Sequence, residues 1–345
     1  MRFLMKMNQM MIQMTSKSME NSMENEQRDK SKRLRQMITA AEKICILGHV
    51  RPDGDCVGST LAVYNYIMSN TEGKTVDVYL DTFSADFKFL SGAKKVKHET
   101  QGKRYDLAIS IDVSELDRLG KFKDMFLTAI STVCIDHHVS NPGFGDLCYV
   151  DSQASSACEA FADLIDLDKV NTDTATCLYL GMVHDTGVFK YSSTRRHTME
   201  LAGLLLDKGV NSAYIIDETF YKKTYKQNLL MAKTILESVL YEDGKVIYGH
   251  VSKDTFKEFK ANNLDTEGIV EQLRLTEGVE VAIFSYQLTK KNVKFSLRSK
   301  SYVDVNKIAT AFGGGGHVRA AGIDMTGDPG KLLKQILEEV RKQLK

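Results

Sequence analysis

The chain has 345 residues, 43% of them hydrophobic, 8% aromatic and 26% charged, a globular make-up with room for two domains. Forty-six Lys and Arg balance 45 Asp and Glu, and the formal net charge of +1 excludes a global basic field that would hold long nucleic acid without specificity. The six cysteines make no C-x-x-C pair and no stretch reaches the roughly 20 apolar residues of a membrane span, which excludes a disulfide framework, a zinc ribbon and a membrane anchor and fits a reducing, cytoplasmic setting.

Residues 1–30 carry 8 of the 15 methionines in a polar background and read as a weakly ordered extension. SKRLRQMITAAEK then reads as a short helix and KICILGH as a buried strand ending at His49. After the turn RPDGD, apolar Val57, Leu61, Tyr64 and Met68 follow at helical spacing. TVDVYLD, DLAISID and STVCIDHH are further strands. Three of these strands end in acidic or imidazole side chains, as an open parallel α/β sheet does when it builds a site beyond the carboxyl ends of its strands. Residues 152–240 read as mostly helical, the last stretch, 223–240, as a connector between domains. Its apolar face leaves open packing within the chain or against a second copy, a homodimer. From about 241 the period changes: KVIYGHVS, VEVAIFSYQLT and NVKFSLRS read as strands, DVNKIATAF and the C-terminal PGKLLKQILEEVRKQLK as helices, a smaller α/β domain of mixed sheet.

The chemistry concentrates in the first domain. His49, Asp53 and Asp55 stand at i, i+4 and i+6 on a tight turn and can converge on a hard or borderline divalent metal; the same PDGD serves equally as a surface turn with a helix N-cap. Asp112 ends one strand, Asp136, His137 and His138 end another, and Asp185 ends the helix LYLGMVHDTG. Each alone fits a cap or a turn. Together, four segments offer metal ligands at the sheet end of one domain.

In order and spacing, GHVRPDGDCVGS, SIDVS, DHH and GMVHDTGVF resemble the motifs of the DHH phosphoesterase superfamily, and FGGGGHVRAAG, residues 312–322, resembles the signature of its DHHA1 domain. The resemblance covers roughly residues 31–345. It implies a parallel-sheet DHH catalytic domain over 31–222 with helices on both faces and a DHHA1 substrate-binding domain over 241–345. Within the superfamily the chain resembles the NrnA-type oligoribonucleases (nanoRNases) that are also 3'-phosphoadenosine 5'-phosphate (pAp) phosphatases. The implied activity is hydrolysis of short RNA to mononucleotides and of pAp to AMP by a hydroxide bridging two metal ions. The implied ligands are His49, Asp53 and Asp112 for one ion and Asp55, Asp112, His137 and Asp185 for the other, with Asp112 bridging. A nitrogen and oxygen set points to manganese, with magnesium or cobalt as alternatives. Asp136 is expected to orient a ligating imidazole, His49, and His138 to face the scissile phosphate. His184 reads as structural. In the second domain the resemblance implies that Gly313, Gly314, Gly315, Gly316 and His317, with Arg298, hold the nucleotide; Arg298 on an outer strand face reads equally as a solvated side chain, and Arg319 has no assigned role. The rivals are a RecJ-like single-strand exonuclease on longer substrates, a nucleotide-binding regulatory module with weak catalysis, and a pyrophosphatase.

Overall fold

The computed structural model describes residues 25–345 apart from positions 288 and 290. Residues 1–24 of the expected N-terminal extension therefore lie outside the described residues, while 25–30 open a helix that runs over 25–40. That helix buries Leu34 and Ile38, one turn apart on a single face.

Five strands follow: β1 (Lys43–Leu47), β2 (Thr75–Tyr79), β3 (Leu107–Ile111), β4 (Ser131–Asp136) and β5 (Leu147–Val150). All neighbours are parallel, in the order β2-β1-β3-β4-β5. The chain moves from β1 to β2 on one side and then crosses to β3 on the other. Between β1 and β3 the winding reverses, and a crevice opens there at the carboxyl ends of the strands. Alternation of period two sends Ile44 and Ile46 to one face and Cys45 and Leu47 to the other. Helices Gly54–Asn70, Ala157–Ala162 and Thr172–Asp185 pack on the first face, and Leu119, Phe122, Met125 and Phe126 cover the second. Helices Arg196–Asp207 and Ser212–Ile216 complete this unit, which divides from the second between Tyr221 and Lys222.

The second unit is a mixed sheet in the order β10-β11-β9-β8-β7-β6. Its strands are β6 (Val239–Tyr241), β7 (Val246–Val251), β8 (Val281–Gln287), β9 (Asn292–Ser299), β10 (Gly315–His317) and β11 (Ala320–Thr326), of which only the β7–β8 pair is parallel. Helices Val305–Ala311 and Pro329–Arg341 bury one face, helices Tyr225–Leu236 and Ile269–Arg274 the other. Within the stretch expected as a connector, the helix Tyr225–Leu236 places Leu230 in the core of this unit and residues 239–241 form its edge strand. Strands β5, β10 and β11 were not legible as strands: β5 and β10 are short and β11 opens on the small residues Ala320, Ala321 and Gly322, and pairing with a neighbour fixes each.

Candidate active site

The turn after β1 is built from local caps. The His49 amide donates to Cys56 Sγ at 3.2 Å, and Asp53 is the N-cap of the helix Gly54–Asn70, its Oδ1 accepting from the Cys56 amide at 3.1 Å. Within the first turn, the fully buried Asp55 reaches across to the start of the helix Ala157–Ala162, where Oδ2 accepts from the Ala157 amide at 2.6 Å and Oδ1 from the Cys158 amide at 3.1 Å. Asp112 leaves β3 in the left-handed region, φ +58°, which Asp tolerates better than most side chains. Its amide remains in the sheet, donating to Ile135 at 3.0 Å.

These elements bring the predicted ligands together. Asp112 Oδ2 lies 3.4 Å from His49 Nε2, and Asp112 Oδ1 lies 3.6 Å from His137 Nε2. His137 Nε2 is also 3.1 Å from Asp185 Oδ2 and 3.8 Å from Asp55 Oδ2. One carboxylate thus offers one oxygen to each of two donor groups, with Asp55, His137 and Asp185 around one and His49 and Cys56 around the other. Asp53 stands at the rim, largely exposed, with Oδ1 3.8 Å from His49 Nε2; both sequence readings of this residue describe the same side chain, since the capping carboxylate has a second oxygen to spare. The Val50 carbonyl, 2.9 Å from His49 Nδ1, accepts the proton there and turns Nε2 toward the carboxylates.

The expected pairing of Asp136 with His49 is not what the fold produces. Asp136 is fully buried; Oδ1 accepts from His138 Nδ1 at 2.7 Å and Oδ2 from Asn141 Nδ2 at 2.7 Å. The reason is connectivity: His138 lies two residues past Asp136 where β4 ends, while His49 has already satisfied Nδ1 on its own strand's exit turn. His138 is left 40% exposed, anchored at Nδ1 with Nε2 available.

The electrostatics fit a cation. Burial and the negative charges of Asp112 and Asp185 push Asp55 well above the ordinary carboxylate range, and burial likewise raises Asp185. Against the opposing effect of burial, His137 and His49 hold Asp112 ionised far below that range. Those two imidazoles are correspondingly driven above the imidazole range by their carboxylate neighbours. Buried acids that repel one another and keep protons on adjacent imidazoles form a set whose protons a divalent ion would displace. The donors are nitrogen and oxygen, while Cys56, pushed up to about 12 by burial, stays a thiol whose sulfur already accepts from the His49 amide.

Two glycines let the helices approach closely enough to form this site. A β-carbon on Gly181 would stand 2.5 Å from Asp55 Oδ1, and one on Gly54 would overlap the His184 ring. His184 packs edge-on against Phe87 at 5.1 Å and against Phe220 at 4.5 Å; burial lowers it to about 4 and its Nε2 has no hydrogen-bond partner. It is a neutral packing residue. Sequence reading missed Cys56, Asn141, Gly181 and the Ala157 and Cys158 amides; of these Cys56, next to Asp55, and Asn141, three residues beyond the histidine pair, lay close enough in sequence to suggest themselves.

In the second unit, Gly313 and Gly314 leave the helix Val305–Ala311, and Gly315, Gly316 and His317 form β10 rather than a loop. They pair with Gly322, Ala321 and Ala320 of β11, and Ala320 pairs in turn with Arg298 of β9. His317, Ala320 and Arg298 therefore share one face in one row. Arg298 is not a free cation there: its Nε donates to Glu271 Oε1 at 2.6 Å, and the other Glu271 oxygen accepts from Arg274 at 2.9 Å. Arg319 braces the backbone, donating to the Val303 carbonyl at 2.7 Å.

Comparison with known proteins agrees with this division. Residues 43–182 match the family model "DHH family, N-terminal domain", and residues 243–345 match "DHHA1 domain". The chain is 30% identical over 323 residues to the bifunctional oligoribonuclease and PAP phosphatase NrnA of Thermus thermophilus, covering 92% of this chain and 95% of that one. It is 27% identical over 296 residues to the protein of the same name from Bacillus subtilis, covering 83% and 90%. The crystal structure of an exopolyphosphatase-related protein from Bacteroides fragilis superposes with a TM-score of 0.79 at 25% identity, over 91% of this chain and 96% of that one.

Proposed function

Since this chain belongs to the DHH family of phosphoesterases, with a DHHA1 domain after the DHH domain, we propose that it hydrolyses short RNA oligonucleotides to mononucleotides and pAp to AMP. The names of the Thermus and Bacillus relatives support both substrates. The observation that carries the reading is Asp112, whose two oxygens address His49 and His137 at 3.4 and 3.6 Å.

Asp112 with His49 and Asp53 would hold one divalent cation, and Asp112 with Asp55, His137 and Asp185 the second. The bound pair, best assigned as Mn(II) and replaceable by Mg(II) or Co(II), would supply water ionised at neutral pH and positive charge beside the leaving oxygen. Asp136, accepting from His138 Nδ1–H, would orient the ring with Nε2 outward, an atom that donates once the ring is protonated. Asp136 also raises His138 above the ordinary imidazole range, which favours a charged donor to phosphoryl oxygens as negative charge grows on them. The row of His317, Ala320 and Arg298, with the small residues Gly315 and Gly322 alongside, would seat one nucleotide. A chain of net charge +1 suits a short substrate better than a long polyanion.

The test incubates the protein with Mn(II) and, separately, an RNA dimer, an RNA 20-mer, pAp and pyrophosphate, with EDTA as control. Loss of dimer and pAp with the 20-mer spared is expected; preferred digestion of the 20-mer would move the protein toward RecJ-like work, and rapid loss of pyrophosphate toward a pyrophosphatase. Wild-type turnover by Asp112→Ala would refute the shared role of that carboxylate.

A further inference from the structure

Cys134 and Cys148 occupy paired positions on the parallel strands β4 and β5. Neighbouring strands run about 4.8 Å apart, inside the Cα separation of roughly 4.4–6.8 Å that a disulfide spans, and paired residues of a parallel ladder point to the same face. Both are free thiols, Cys134 buried and Cys148 partly buried. A surface hollow lined by Lys30, Arg33 and Asp146 opens onto Cys148. On its other side Cys134 Sγ lies 3.5 Å from Asn141 Nδ2, the amide that donates to Asp136 Oδ2 at 2.7 Å and to the Val113 carbonyl at 3.0 Å. Asp136 in turn holds His138 at 2.7 Å. An unbroken line of contacts therefore runs from the thiol pair to the exposed imidazole.

We propose that Cys134 and Cys148 are a redox modification site: a peroxide-class oxidant converts them to a reversible disulfide that disturbs the Asn141, Asp136 and His138 line. The accessible Cys148 sulfur attacks a peroxide oxygen, the O–O bond breaks, and a sulfenic acid forms as the first water leaves. Cys134 sulfur then attacks the sulfenic sulfur, the S–S bond forms, the S–O bond breaks and a second water departs; two thiols have lost two electrons and the peroxide has gained them. The neighbouring Cys134 thiol, with the Phe144 amide and Lys30, lowers the Cys148 thiol below the ordinary thiol range against the effect of burial, which suits it to the first step. In-register parallel strands hold their β-carbons somewhat farther apart than the roughly 3.8 Å a relaxed disulfide prefers, so the bond is expected to reduce readily. Closing it draws Cys134 Sγ toward β5 and away from Asn141, leaving Asp136 and His138 less firmly held. The effect on turnover rests on the role proposed for His138; the disulfide itself does not.

The experiment treats the full-length protein with hydrogen peroxide and digests it before aspartate residues, which separates Cys134 from Cys148, so that a disulfide appears as a joined peptide two mass units lighter than the two thiol peptides together. Turnover is read in parallel on the RNA dimer and on bis(4-nitrophenyl) phosphate. The joined peptide, a tenfold or greater fall in turnover, and recovery of both thiols and turnover with dithiothreitol are expected, with Cys148→Ser and Cys134→Ala each insensitive to the same treatment. Two retained thiols, or Cys148 oxidised beyond sulfenic acid with no joined peptide, overturns the site. A joined peptide with unchanged turnover overturns its effect on His138. The peptide map holds whatever the substrate proves to be, so failure of the RNA reading stays distinguishable.

Discussion

Gly181 lies on the helix Thr172–Asp185 opposite Asp55, and Gly181→Ala adds one methyl where a β-carbon would stand 2.5 Å from Asp55 Oδ1 and closer still to Cys158 Sγ. Relaxed contacts need roughly 3.5 Å, so the carboxylate or the helix must yield by about 1 Å. The helix cannot yield cheaply, because it is hemmed in on more than one side: Leu178 and Val183, well apart around its axis, are both fully buried. Asp55 can yield only by losing amide bonds of 2.6 and 3.1 Å to Ala157 and Cys158. Overpacking of this size costs about 1–3 kcal/mol, and the helix preference of Ala over Gly returns about 1 kcal/mol of it. The midpoint of thermal unfolding should therefore fall by a few degrees at most. A ligand misplaced by about 1 Å should cost on the order of a hundredfold in turnover, with weakened binding of the cation at the Asp55, His137 and Asp185 group. Calorimetric titration with Mn(II), thermal unfolding and turnover of the RNA dimer on the same preparation separate these effects. A variant that binds Mn(II) and turns over as the wild type does would show that the close approach of Gly181 does not position Asp55.

Asp136→Asn should leave Mn(II) binding intact and lower kcat by 10²-fold or more, since the amide no longer fixes the His138 tautomer; equal loss of Mn(II) affinity and kcat would instead make Asp136 a ligand. Arg298→Ala should raise KM for pAp about tenfold or more with Mn(II) affinity unchanged, whereas an unchanged KM would confine Arg298 to its ion pair with Glu271. In the second unit, Glu280 accepts from the amides of Ser301, Tyr302 and Val303 and from the Ser301 hydroxyl, which hold it below the ordinary Glu range although burial pulls the other way. A depressed folded value means that the unfolded chain binds the proton more readily, so this stabilisation is complete above the ordinary Glu value and is lost as pH falls on through the lower folded value. Glu280→Gln should therefore cost about 1–3 kcal/mol at pH 7 in denaturant unfolding and much less near pH 3; a difference independent of pH would refute the account.

How much of the site could be read in the sequence follows from how far apart its partners lie. The strands β1, β3 and β4 and the polar residues at their ends were legible because an apolar run that stops at His49, Asp112 or Asp136 is a local signal. The capping role of Asp53 was also local, set by its own helix. Not legible were contacts between distant segments, such as Asp55 on the amides of Ala157 and Cys158, or Gly54 beneath His184. The partner of Asp136 was misassigned because nothing in the spacing shows that a histidine two residues on can fold back onto it. Arg298 could be placed on a strand, but the Glu271 that holds it comes from a helix 27 residues earlier whose six residues carry little periodicity. Strand β5, four residues with Cys148 at its centre, emerged only from its register with β4.

The ligand set also has a history along the chain. From His49 to Asp185 is a span of 136 residues, and at a synthesis rate of roughly 5–20 residues per second the first ligands leave the ribosome about 7–27 s before the last. Through that interval the turn after β1 exists without the helix that completes it, and contacts so distant in sequence form late and slowly. The apolar interior around Ile44, Ile109 and Leu178 spans the same elements, and its burial involves none of the candidate ligands. The proposed cation pair would then bind a fold already made, and a chain deprived of metal is expected to accumulate as a folded, idle domain that an ion can still switch on.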